Sequence, residues 1–284
     1  MTRNRRRVFW PALLIALLGL TALTFAASRR LYNSKSKDTN VQSKSNRARV
    51  KRAYVQRSRL SPRLAMNLKT LGDRLEKPGL ERLSVVGTLK RAADPQTEEI
   101  SAVFELPDRL YLTTQKGIQR RVVTLDGEQP TGVGNPLDVT EQDLIETLVY
   151  GSADHFFNTQ TENRATRFLG SRFRLDDGSS PNYEGPYYDV YKVSESVKTT
   201  PDQTERLKLY YFNSETLLLE RVIYEINRNG ATVKVEERLG GWSKEQGQQV
   251  ARRIERFENG ASVFVLTLRS AGLSARANDG KFAN

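Results

Sequence analysis

Between Leu83 and Leu268 the apolar residues fall mostly on alternate positions, the two-residue period of strands with one buried face. Leu83, Val85, Gly87 and Leu89 share one face, and Ile100, Ala102, Phe104 and Leu106 share the next. Leu110-Tyr111-Leu112 follows the turn Pro107-Asp108, and Val122-Val123-Thr124-Leu125 runs into Asp126-Gly127. Strands resume at Tyr187-Tyr188-Asp189-Val190-Tyr191, and Leu207, Leu209 and Tyr211 then alternate with Lys208, Tyr210 and Phe212. Leu217 to Ile226 meets Thr232 to Leu239 at Asn229-Gly230, and Val250 to Phe257 meets Ala261 to Leu268 at Asn259-Gly260. Both dipeptides are two-residue hairpin signals. The pattern predicts about ten antiparallel strands in one sheet-dominated, mainly β (α+β) domain.

Two segments break the alternation. Ser61-Pro62 is an N-cap followed by proline at the first helical position, and Leu64, Leu68, Leu71 and Leu75 then recur on one helical face up to Lys77-Pro78-Gly79. After Gly132, Gly134 and Pro136, Thr140 is positioned to cap a second helix with Asp143 at N3. Leu144, Ile145, Leu148 and Val149 give that helix an apolar side, and Phe156-Phe157 extends it.

The N-terminus follows other rules. Arg3, Arg5, Arg6 and Arg7 precede an apolar run from Val8 to Phe25, then Ala26-Ala27-Ser28. Residues 1–28 have the layout of an export signal. As a helix the run would extend about 27 Å, close to the thickness of a hydrocarbon core. It predicts an inner-membrane anchor through residues 8–25; cleavage at the small residues, releasing a soluble periplasmic chain, is the alternative. Residues 29–60, rich in Ser, Asn, Gln, Lys and Arg, read as a basic flexible tether.

The formal charge of +12 belongs almost wholly to this leader. Residues 1–60 hold 15 bases and one acid, and residues 61–284 hold the other 30 bases against 32 acids. A nearly neutral body excludes a nucleic-acid partner recognised by the fold.

The catalytic and metal inventory is short. With no cysteine and one histidine, His155, thiolate and multi-histidine metal sites are excluded, and no phosphate-binding or dinucleotide-binding motif occurs. Ser152, Asp154 and His155 are adjacent in sequence, whereas triads converge in space. Asp176-Asp177-Gly178-Ser179 reads as a surface turn, and Tyr183, Tyr187, Tyr188 and Tyr191 as strand packing. No catalytic residue, metal or cofactor is predicted.

Several phrases are similar to one family. Phe104-Glu105-Leu106-Pro107-Asp108-Arg109-Leu110, Val123-Thr124-Leu125-Asp126-Gly127, Tyr210-Tyr211-Phe212-Asn213-Ser214-Glu215-Thr216-Leu217-Leu218-Leu219 and the ending Asn278-Asp279-Gly280-Lys281-Phe282 occur in the order found in the periplasmic lipoprotein carriers and receptors of the LolA/LolB type. The resemblance covers residues 61–284. It implies a strongly curved antiparallel half-barrel with helices over its concave face and an acyl chain, possessed by a lipid or a lipoprotein, as partner. Phe104, Leu110, Leu112, Val122, Leu207 and Leu209 are then expected to line the cleft, and Leu144, Ile145, Leu148, Phe156 and Phe157 to form a lid over it. The expected function is non-catalytic binding in the cell envelope. The alternative is an anchored sensor or scaffold whose half-barrel is filled by its own side chains.

Overall fold

The sheet has 12 strands in the order β5-β4-β3-β2-β1-β14-β13-β10-β9-β8-β7-β6, all paired antiparallel. They are β1 Arg82–Arg91, β2 Thr97–Glu105, β3 Arg109–Lys116, β4 Gln119–Asp126, β5 Gln129–Gly132, β6 Thr166–Phe173, β7 Tyr188–Ser196, β8 Glu205–Asn213, β9 Leu219–Arg228, β10 Ala231–Gly240, β13 Arg253–Glu258 and β14 Ala261–Ser274. A separate hairpin pairs β11 Ser243–Glu245 with β12 Gln248–Val250. The end strands β5 and β6 are not paired with each other, so the sheet stays open. The structure, a computed structural model, describes residues 60–106, 109–127, 129–132, 136–161, 166–175, 185–196, 205–278 and 280–282. The expected signal or anchor and the tether up to residue 59 lie outside the described residues, as does the turn at Asp176-Asp177. Among the described residues no helix is long and apolar enough to cross a membrane.

Twelve sheet strands replace the expected count of about ten. β5 lies in a stretch whose glycines and prolines read as loop, and β6 is mostly exposed, with register breaks at Phe168/Gly170 and Gly170/Phe173. Neither shows the alternation that marks a half-buried strand.

Both helical segments form, with shifted ends. Ser61 caps α1 (Pro62–Leu71), which stops at Gly72 rather than continuing to Leu75. Gly72 has φ +114, and a Cβ there would overlap the Gln248 side chain, so only glycine fits. A short 3-10 turn, Asp73–Leu75, still buries Leu75 completely. The insert between β5 and β6 comprises α2 (Val139–Ile145), a π-helical turn (Glu146–Tyr150) and α3 (Ala153–Thr161). Its cap is Asp138, not Thr140: Asp138 Oδ1 accepts from Glu141 N at 2.8 Å, and Glu141 Oε2 accepts from Asp138 N at 3.0 Å. This capping box frees Asp143 for other partners.

The insert forces the sheet to curve. Glu141 pairs with Arg121 of β4 and His155 with Glu195 of β7. These strands stand nine places apart in the sheet, about 43 Å if it were flat. The 14 steps from Glu141 to His155 would span only about 21 Å even as one continuous helix, so the sheet wraps the insert. The face turned toward the helices is the inner face. Its core includes Leu68, Leu89, Ile100, Leu110, Leu125, Val222, Val235, Phe264 and Leu266 together with the insert. A smaller cluster, Tyr188, Val190 and Tyr211, lies on the outer face with Leu175, Leu209 and Ile223.

Candidate functional site

Strand register divides the six expected cleft residues evenly between the faces. Phe104 pairs with Leu110, and Leu112 with Ala102 and Val123, which places Phe104, Leu110 and Leu112 on the inner face. Val122 pairs with Thr113 and points outward, while its neighbour Val123 is buried in the core. On β8 the inner positions are Lys208, Tyr210 and Phe212. Leu207, 44% exposed, and Leu209 are on the outer face. The structure therefore brings Phe104, Leu110 and Leu112 together on the inner face and leaves Val122, Leu207 and Leu209 on the outer face, where Leu207 and Leu209 line a wide open cleft.

The expected lid residues do converge. Leu144, Ile145, Leu148, Phe156 and Phe157 are all buried in the main core. Phe156 is ringed by Tyr191, Tyr210 and Phe212, with centroids 5.6, 4.9 and 5.0 Å away. The aromatic row continues through Tyr191 to Phe168 on the edge strand β6, at 5.1 Å, where the ring is 47% exposed. Such pairs contribute about 0.5–1.5 kcal/mol each beyond the area they bury.

The underside of the insert is also charged, which the apolar pattern did not reveal. Asp143 accepts from Arg228 at 2.7 Å and from Arg256 at 2.9 Å. Glu146 lies 2.7 Å from Lys208 Nζ and 2.9 Å from Arg206. Thr147 donates to Glu237 Oε1 at 2.8 Å, and the same oxygen accepts from Tyr224. His155 Nε2 lies 2.9 Å from Glu195 Oε1, and Lys208 donates to the Tyr150 carbonyl at 3.0 Å. At the far end Asp154 accepts from both Nε and Nη2 of Arg74, a bidentate pair along one guanidinium edge. Gly151 passes so close to Glu237 that a Cβ would overlap the carboxylate.

Lys208 and Arg256 have no solvent exposure, so their charges persist only because carboxylates surround them. Burial alone would lower Lys208, but Glu146, Glu195 and Glu237 hold it above its ordinary 10.5. Burial pushes Glu146 upward, and Lys208 and Arg206 outweigh it, so the carboxyl sits below 4.5. Glu237 goes the other way: burial keeps it above 4.5 despite Lys208 and Arg256. Burial likewise raises Asp143 above 3.8.

Two spaces adjoin the insert. A small pocket of about 80 Å³ lies between it and the sheet, with Phe104, Leu148, Val149, Trp242 and Ile254 in its wall. A wide open cleft of about 2040 Å³ runs along the rim, with Asp143, Glu146, Arg206 and Arg228 in its wall and the fully buried Arg256 behind them. The ion pairs that hold the insert are therefore also part of the cleft wall.

No family model and no curated protein matches the chain. Among solved structures it is similar to a LolA superfamily protein from Nitrosomonas europaea, at 12% identity over 75% of this chain and 93% of that one, with a TM-score of 0.48. A DUF1329 family protein from Desulfovibrio piger gives 12% identity, 78% and 95% coverage and a TM-score of 0.46. A domain from Vibrio parahaemolyticus named for outer membrane lipoprotein sorting gives 9% identity, 80% and 97% coverage and a TM-score of 0.46.

The adjacent Ser152, Asp154 and His155 diverge. Ser152 Oγ donates to the Val149 carbonyl and accepts from His155 N, Asp154 faces Arg74, and His155 faces Glu195. Of the tyrosines, Tyr191 is in the core and Tyr188 in the outer cluster, while Tyr187 stacks under Arg174 at 4.2 Å. Sequence reasoning missed Glu146, Lys208, Glu237 and Arg256. The available signal was a charged residue at an inner-phase position of a strand, as Lys208 is beside Tyr210 and Phe212.

Proposed function

We propose that the chain is a non-catalytic binding protein of the cell envelope that holds a lipid or acyl chain on the inner face of its sheet, with residues 139–161 as the lid. The leader supports delivery to the envelope, and an apolar run at residues 8–25 suits association with the inner membrane. The observation that carries the reading is how the insert is attached. Its apolar side covers the apolar inner face, yet it is fastened by buried ion pairs at Asp143 and Glu146 and by a hydrogen bond between His155 and Glu195.

Charges suit a part that leaves. A permanent plug is held as well, or better, by apolar contacts, because buried ion pairs carry a desolvation penalty. When a charged underside swings into water, that penalty is recovered. An acyl chain then replaces the lid on the inner face, at about 0.8 kcal/mol per buried CH₂. With the lid closed, the pocket of about 80 Å³ beneath it is smaller than a cavity that admits benzene, roughly 150 Å³. Binding beneath the insert, on the inner face, therefore requires the lid to move.

That same small pocket favours a second reading, a self-filled scaffold acting through protein contacts. Native mass spectrometry of the gently extracted full-length chain, with its N-terminal residue determined, separates the two. Co-purifying lipid at up to one molecule per chain is expected; chains that remain empty when offered acyl lipids would refute the carrier reading.

A further inference from the structure

Removing the lid from the inner face changes its charge. Beneath the insert the sheet presents four cations, Arg206, Lys208, Arg228 and Arg256, and three carboxylates, Glu195, Glu237 and Glu258. Asp143 and Glu146 add two carboxylates while the lid is closed and take them away when it opens. Lys208 and Arg256, both fully buried, cannot stay desolvated without replacements. The replacement has a route: Arg206 and Arg228 are 21% and 27% exposed in their side chains and line the rim cleft. An anion entering the cleft meets these two guanidiniums before it meets anything deeper.

We infer that Asp143 and Glu146 occupy the place of an anionic head group, so that the ligand is an anionic amphiphile whose head competes with the lid for Arg206, Lys208, Arg228 and Arg256. This rests on the lid reading above and adds the ligand's charge. The lid copies the ligand in both halves: Leu148, Phe156 and Phe157 stand for its tail, and the two carboxylates for its head. Charge-assisted hydrogen bonds to guanidinium groups are well suited to phosphate or carboxylate heads. Competition also couples recognition to opening, because the head group that docks at the rim displaces the contacts that keep the lid shut. A neutral lipid of the same chain length gains the apolar contacts but leaves the cations bare.

The test uses the full-length chain in a neutral detergent, with fluorescent phosphatidylglycerol and phosphatidylcholine carrying identical acyl chains, and inorganic phosphate as competitor. Phosphatidylglycerol is expected to bind at least about tenfold more tightly. Arg206→Gln with Arg228→Gln should bring it down to the phosphatidylcholine level. Asp143→Asn with Glu146→Gln should tighten phosphatidylglycerol severalfold, because the internal competitor is gone, and leave phosphatidylcholine within about twofold. A latch with only a structural role would move both lipids together in both pairs of variants, and that result overturns the inference. Equal affinity of the two lipids also overturns it while leaving the acyl-binding reading intact; failure of both lipids to bind removes both. Phosphate that displaces the lipid at equal concentration assigns the cations to a free anion and likewise overturns the amphiphile.

Discussion

Glu146 of the insert lies 2.7 Å from the ammonium of Lys208, a residue with no solvent exposure in the middle of β8. The pair joins two segments far apart in sequence, on the same face of β8 as Tyr210 and Phe212, which pack against Phe156. Lys208 also reaches the Tyr150 carbonyl, so its single charge grips the π-helical turn at both ends. Where a strand could have presented Leu207 and Leu209 to the core, it presents a lysine, and the helical insert supplies the carboxylate that makes this tolerable.

Lys208→Met should therefore destabilise the protein by about 3–5 kcal/mol, because it strands buried carboxylates without their counter-charge. Lys208→Met combined with Glu146→Met should recover at least about half of that loss, since the double replacement removes an uncompensated charge and adds apolar contact. Urea unfolding of the two single variants and the double variant gives the coupling directly. Additive losses would show that the two residues do not act as a pair.

The pH dependence follows from the signs. Glu146 is held below its ordinary 4.5, so its contribution is complete above pH 4.5 and fades as pH falls through its lower folded value. Lys208 is held above 10.5, so its contribution is complete below pH 10.5 and fades at higher pH. Asp143 and Glu237, both raised by burial, act in the opposite sense and soften the acid loss. The difference in melting temperature between the native protein and Glu146→Gln should shrink steadily below pH 4.5. A difference that stays constant down the acid range would show that Glu146 is not ionised in the folded state.

Leu148, in the wall of the small pocket beneath the insert, tests whether the insert is a lid or a plug. Leu148→Asp places a carboxylate where the closed lid has no water. In a plug the substitution is a core defect, on the order of 3 kcal/mol or more, and lowers the melting temperature by roughly 6–12 °C in a domain of this size. In a lid the insert undocks, the sheet stays folded with a shift under about 5 °C, and lipid occupancy changes. A steep fall in melting temperature with unchanged occupancy per folded molecule identifies a plug.

Much of this architecture can be read from the chain. The hairpins at Asn229-Gly230 and Asn259-Gly260 form as their dipeptides require, with both asparagines and both glycines at positive φ. The apolar lid residues converge because a helical period and an apolar side are local properties. The face of a strand is not. Leu207-Lys208-Leu209-Tyr210-Tyr211-Phe212 carries large side chains in both phases, and the contacts that keep the lysine phase inside, Glu146 on Lys208 and Phe156 on Tyr210 and Phe212, come from residues distant in sequence. Val122 and Val123 pose the same problem, settled by pairing with Thr113 and Leu112. Thr140 and Asp138 are both good caps; Asp138 prevails because Glu141 completes its capping box. β6 was hidden because an edge strand with two register breaks shows neither period.

The central claim, that residues 139–161 leave the sheet as a unit while the sheet stays folded, is tested most directly by native-state hydrogen exchange. The account predicts that the amides of α2, the π-helical turn and α3 open together, at a free energy several kcal/mol below that of β1, β13 and β14. Added anionic lipid should speed exchange in the insert and leave the strands unchanged. Insert amides that exchange only with global unfolding, at the same free energy as β1 and β14, would contradict the account.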